Sequence, residues 1–267
     1  MDYVAQFRRE IEAFDAAIRT ASLEAGNDRV ALVPSCPGWS MADLTFHLGS
    51  VHRYVTAVIA ERHQQQPEPV DPSYLNLPPV RANWPHPENT PHRGPLPPDL
   101  IDWFGEGATA LGNLLATRDP AEQVWTWSRE QSVGFWQRMQ TIEAAVHRWD
   151  AENSIGAPGP MDRQLAMDAV THTFEVMAPA RRAWRKAPPG AGERIRFRQS
   201  DGSLIWIVQT DPDEVLLNAG SGCCDVELTA TASDLMLFLW HRIPLDTLEV
   251  RGDASLLDRY FKLVPPL

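Results

Sequence analysis

The sequence predicts a mainly α chain that ends in an α+β domain: an antiparallel four-helix bundle, then a small sheet covered by helices. Three observations predict it. Apolar residues recur at helical spacing through most of the first 155 residues. A proline-rich stretch at 64–98 cuts that pattern in two. After Pro188-Pro189-Gly190 the texture changes to short alternating or continuous apolar runs divided by turn residues. The expected organisation is therefore a bundle over 1–155 with a wrap at 64–98, a connecting helix within 156–189, and a small α+β domain over 190–267.

The elements follow in order. Residues 3–25 place Val4, Phe7, Ile11, Phe14 and Ile18 near helical spacing. Cys36-Pro37-Gly38-Trp39-Ser40 breaks the chain, and Ser40 with Asp43 resembles a capping box that starts a helix over 41–62. In 64–98, eleven of 35 residues are proline, which excludes a long helix or a central strand. Tyr74, Leu75, Leu77 and Trp84 give this stretch apolar anchors, so it reads as an ordered wrap that lids a pocket. Helices return at 98–117 and 134–154, with a loop at 124–129 between them, and again at 161–186. Residues 194–198, 204–208, 215–217 and 226–230 read as strands, 232–241 and 253–263 as helices, and 248–250 as a short strand. Short amphipathic helices must bury their stripes against one another, which is the reason for a bundle.

Composition narrows the functional classes. The chain has 267 residues, 43% of them apolar, which is ample for a folded core. A net charge of −11 argues against nucleic acid or an anionic membrane as partner. No long apolar run predicts a membrane span, and the charged start lacks the layout of a signal peptide, so a cytoplasmic location is expected. The three cysteines are too few for a disulfide framework, and Cys223-Cys224 reads as a pair of buried reduced thiols. Oligomeric state stays open.

The motif that carries chemistry is Glu143-Ala144-Ala145-Val146-His147. A carboxylate and an imidazole four apart on a helix project from one face and can hold one divalent metal, given a third ligand from another helix. His47, in Asp43-Leu44-Thr45-Phe46-His47, is the candidate third ligand. The same spacing also describes a solvated helix pair, and a lone histidine in an apolar helix also describes a core residue. The wheel favours the metal reading: Glu143, His147 and Asp150 cluster beside the stripe of Met139, Ile142, Val146 and Trp149, and Trp136 shares their side. A charged cluster bordered by tryptophans fits a half-buried pocket. Trp136 and Trp84 are its candidate cofactor-binding walls, with Tyr74 a further candidate. Asp150, one turn from His147, is a candidate catalytic base or a group that orients the ligand.

Pro37-Gly38-Trp39-Ser40…His47, followed by Glu143-Ala144-Ala145-Val146-His147-Arg148-Trp149-Asp150, resembles the mycothiol-dependent maleylpyruvate isomerase family. So does the stretch from Ala232 to Trp240, followed by Leu245 to Asp253. The resemblance covers nearly the whole chain. It implies a DinB-like metal-binding four-helix bundle and a sterol-carrier-like C-terminal domain. It also implies His47, Glu143 and His147 as metal ligands, with zinc the usual occupant; the same set suits iron or nickel. Mycothiol is the implied co-substrate.

The implied chemistry is attack of a low-molecular-weight thiol on a small-molecule electrophile, as an S-transferase or as a cis–trans isomerase of the maleylpyruvate type. A dicarboxylate substrate calls for nearby cations, and Arg148, Arg81 and Arg93 are the candidates. Two alternatives stay open: a metal-dependent hydrolase without a thiol, and a non-catalytic, metal-stabilised binding module.

Overall fold

The computed structural model describes residues 1–26, 28–67, 72–217 and 223–265. Residues 68–71 of the expected wrap, and 218–222 and 266–267 of the expected C-terminal domain, lie outside the described residues. Two compact units are present, Met1–Gly159 and Pro160–Leu267.

The first unit is built on four helices: α1 (Tyr3–Ala25), α2 (Met41–Ala60), α3 (Pro98–Thr117) and α4 (Val133–Ser154). Each start has a local cause. The Asp2 side chain accepts the Ala5 amide, and Ser132 caps α4 by accepting from Phe135. Ser40 and Asp43 form the reciprocal capping box expected for α2. Pro98 sits at the first position of α3, where its missing amide costs nothing. The helices pack α1 on α4 and α2 on α3, around Phe14, Ile18, Leu44, Leu48, Leu100 and Phe104. The α2–α3 contact is close at Gly49, where a Cβ would lie 2.4 Å from the Trp103 ring.

The described part of the wrap is ordered by specific ties. It holds two short 3₁₀ turns, Pro72–Leu75 and Pro87–Asn89. Trp103 donates its indole N–H to the Leu75 carbonyl at 3.1 Å, and Trp84 donates to Asp99 at 2.9 Å. The His92 amide donates to the Asp43 carboxylate at 2.8 Å, so one acidic side chain both caps α2 and pins the wrap to it.

The second unit holds α5 (Arg163–His172), α6 (Ala178–Arg185), α7 (Ala232–Leu239), α8 (Ser255–Leu263) and a five-stranded sheet. Its strands are β1 (Glu193–Gln199), β2 (Ile205–Thr210), β3 (Val215–Leu217), β4 (Val226–Ala230) and β5 (Glu249–Gly252), in the order β3-β2-β1-β4-β5. Only β1 and β4 pair in parallel; the other neighbours are antiparallel. Phe197 on β1 meets Phe174 and Tyr260 at ring separations of 5.0 and 6.1 Å, which marks the core of this unit. The mainly α fold with a C-terminal α+β domain is as the sequence predicts.

Two details differ from expectation. The helix over 161–186 is present but not regular α throughout: the backbone is helical from Arg163 to Arg185, with a π turn, Thr173–Met177, between α5 and α6. Pro179 in the next turn has no amide to give, which breaks the regular hydrogen-bond ladder there. This whole stretch lies within the unit Pro160–Leu267. Finally, Cys223 is exposed and Cys224 half-buried, because both precede β4 in a loop instead of lying inside a strand. Among the described residues no helix is long and apolar enough to cross a membrane.

Candidate metal centre

Two helices bring three residues of the cluster together. His47 projects from α2, and Glu143 and His147 project one turn apart from α4. The Nε2 atoms of His47 and His147 lie 3.5 and 3.3 Å from the same oxygen, Glu143 Oε1. A tetrahedral ion with bonds of about 2.0–2.1 Å needs its ligand atoms ~3.3–3.4 Å apart, and these two separations are compatible with that. One ligand atom from each of the three residues falls within 4.8 Å of the others. His147 is buried, while 34% of the His47 side chain is exposed, so the cluster opens on the His47 side.

Electrostatics separates His147 from a core histidine, His52. Burial disfavours the charged form of His147, but hydrogen bonds to Asp150 and Glu143 outweigh it and push the ring up to about 9. Burial likewise works against ionised Glu143, yet hydrogen bonds from His147 and His47 hold it well below the usual carboxylate range. His52 shows the opposite outcome. It is fully buried between Phe7 and Phe104, and desolvation, only partly opposed by Glu143, pushes it down to about 3. His52 is a neutral packing residue, five positions from a histidine that faces the cluster.

Asp150 has no exposed surface, and its Oδ2 accepts from His147 Nδ1 at 2.9 Å. Ser35 Oγ donates to its Oδ1 at 2.6 Å and Cys36 Sγ to its Oδ2 at 3.4 Å. A carboxylate behind an imidazole fixes the ring's tautomer and orientation and makes the outer nitrogen a stronger ligand.

The other candidates fall elsewhere. Arg148 turns away from the cluster: its guanidinium pairs with Glu10 at 2.9 Å and Glu152 at 2.6 Å and donates to the Gly159 carbonyl. It lies about 100° round α4 from His147, and α1 fills that side. Trp136 donates its indole N–H to the Trp125 carbonyl and packs on Trp125 and Phe135. Trp84 packs on Phe46 and Trp103. Among the described residues, the ring partners of Trp84 and Trp136 do not include His47 or His147. Tyr74 stacks edge-on against His63, near the end of α2. Arg81 donates to the Pro78 carbonyl, and Arg93 lines a cavity of about 730 Å³ within the wrap, beside Trp84 and His92, whose walls include none of the three clustered residues. The Trp39 ring lies 4.9 Å from that of His47. Trp39, Ser35 and Cys36 were reachable from sequence only as part of the loop before α2; no spacing rule links a loop to residues more than a hundred positions away.

The comparisons with known proteins agree with this architecture. Residues 4–152 match the mycothiol maleylpyruvate isomerase N-terminal domain, and residues 164–259 match the MDMPI C-terminal domain. No curated protein matches significantly. Crystal structures of a mycothiol-dependent maleylpyruvate isomerase and of a histidine-to-alanine mutant of such an enzyme each share the fold, at 13% identity and a TM-score of 0.61, over 94% of this chain and 93% of theirs. The resemblance carried by the His47, Glu143–Asp150 and Ala232–Asp253 motifs is thereby borne out at the level of both domains. With 149 of its 267 residues matched by the first domain alone, the chain belongs to the mycothiol maleylpyruvate isomerase family.

Proposed function

We propose that this protein is a metal-dependent enzyme that uses a low-molecular-weight thiol of the mycothiol type against a small electrophile, as an S-transferase or as a cis–trans isomerase of the maleylpyruvate type. The observation that carries the reading is the pair of imidazole Nε2 atoms at 3.5 and 3.3 Å from one oxygen of Glu143. His47, Glu143 and His147 would hold one divalent ion, zinc by the chemistry of a two-histidine, one-carboxylate set. When bound, such an ion supplies Lewis acidity that favours the thiolate of a coordinated thiol at neutral pH.

The chain's own residues do the rest. Glu143 supplies the negative charge. Asp150 holds the Nδ1 proton of His147, so that Nε2 presents its lone pair to the ion. The Trp39 ring packs beside that of His47 and limits its orientations. Three protein ligands would leave coordination positions for a substrate, which supports a catalytic site over a closed structural one. A hydrolase without a thiol would need Asp150 or an equivalent to activate water. Asp150 is fully buried and engaged by Ser35, Cys36 and His147, which favours its holding the ring instead.

The test is turnover of maleylpyruvate, and of S-conjugation substrates, by the metal-loaded protein with and without mycothiol. Conversion that needs both metal and thiol supports the reading. Conversion at the same rate without any thiol overturns it in favour of a hydrolase or another thiol-free reaction.

A further inference from the structure

His147 belongs to two clusters at once. On its Nε2 side stand His47 and Glu143. On its Nδ1 side stands Asp150, with Cys36 against the same carboxylate oxygen. The ligand atoms of Cys36, His147 and Asp150 all lie within 4.8 Å of one another, as do those of the first cluster. Ser35 holds Asp150 by its other oxygen at 2.6 Å, which aims Oδ2 at both Cys36 and His147. His147 and Asp150 are buried, and Cys36 keeps partial exposure in the loop ahead of α2, so an incoming ion meets the sulfur first.

We propose that Cys36, Asp150 and the Nδ1 atom of His147 form a second cation site, selective for thiophilic divalent ions such as zinc or cadmium, that shares His147 with the first. This rests on the reading of His47, Glu143 and His147 as a metal site. A sulfur, nitrogen and carboxylate-oxygen donor set is that of a borderline-soft ion and not of magnesium or calcium. Filling the site displaces two protons to solvent, one from the Cys36 thiol and one from His147 Nδ1. Asp150 then passes from accepting hydrogen bonds to ligating. The charges of two divalent ions are matched by two carboxylates, one thiolate and one imidazolate, so no net charge is buried. Excess thiophilic metal would therefore hold the cluster from both sides and take Asp150 away from its task of orienting the ring.

Cadmium titration of metal-free protein tests this, in a chain whose exposed Cys223 and half-buried Cys224 are both serine, so that any sulfur signal belongs to Cys36. Calorimetry gives the stoichiometry, and the ultraviolet charge-transfer band of a cadmium–thiolate bond reports the sulfur. The expected result is two equivalents bound, with the band growing only during the second. Adding Cys36→Ser should leave one equivalent and no band. Should that variant fail to fold, the order in which the band appears in its parent decides the matter. Saturation at one equivalent without a sulfur band overturns the second site while leaving the first intact. A sulfur band on the first equivalent, with no second, overturns both the sharing and the first assignment.

Discussion

His147 Nδ1 lies 2.9 Å from Asp150 Oδ2, and Asp150 is itself anchored to Ser35 across 115 residues of sequence. The loop before α2 thus supports a residue on α4 that faces the cluster. Asp150→Asn turns an acceptor into a group that presents an amide to the ring, with little change of volume. Zinc affinity should fall by roughly 10–100-fold. Competition against a chromophoric chelator measures it, with circular dichroism as the check on helix content; unaltered affinity would show that Asp150 does not act through His147.

The pH dependence of the metal-free protein has a defined sign. His147 is raised from 6.5 to about 9 by its partners, burial notwithstanding. A raised folded-state value means that its pairing with Asp150 and Glu143 stabilises fully below pH 6.5 and is lost as pH climbs through about 9. The unfolding temperature of the metal-free protein should fall across that window. Zinc competes with the same proton, so its affinity should rise over the window, and binding at pH 7 should release protons. Calorimetry in buffers of different ionisation enthalpy reads that release, and binding without proton release would contradict the assignment.

Arg148 separates structure from chemistry. It is buried against Glu10 and Glu152, on the α1 side of α4. Arg148→Met leaves Glu10 without its main partner and should cost about 3–5 kcal/mol of stability by denaturant unfolding. Turnover per folded, metal-loaded molecule should hardly move. A selective loss of turnover with stability intact would return Arg148 to the catalytic role its place in the motif first suggested.

Gly49 tests the packing that sets His47. A methyl group there would meet the Trp103 ring at 2.4 Å, in a contact between α2 and α3 that has no slack. Gly49→Ala should destabilise by about 1–3 kcal/mol, less whatever alanine gains as a better helix former. Thermal unfolding is the measurement, and a stabilised variant would mean that Trp103 can swing aside.

The helix periods, the capping box at Ser40 and Asp43, and the i, i+4 pair on α4 were legible because each is local: its signal lies within a few residues. His47 was legible only jointly, as a histidine on one amphipathic helix matched to a pair on another. The sharing of Glu143 Oε1 by two imidazoles could not be read, since it depends on how α2 and α4 face each other. Trp136 is a candidate wall by its wheel position on α4, and Trp84 by its place in the proline-rich wrap. The indole N–H of each needs an acceptor when buried, and Asp99 and the Trp125 carbonyl draw them off to other parts of the bundle. Trp39 reaches His47 instead through a turn at Gly38, whose positive φ of 87° brings the chain back before Ser40. The π turn between α5 and α6 lies one turn before Pro179, which has no amide to donate to the helical ladder.

The central claim is that His47, Glu143 and His147 together hold one divalent ion, and metal analysis tests it most directly. The protein and its His147→Ala variant are purified without chelators, and their metal content is compared by mass spectrometry. The account predicts close to one equivalent of zinc or another divalent ion in the parent, a sharp loss in the variant, and the same helical circular dichroism for both, since alanine suits a helix interior. Equal metal content in the two proteins, or no bound metal in a parent that turns over substrate, would contradict it.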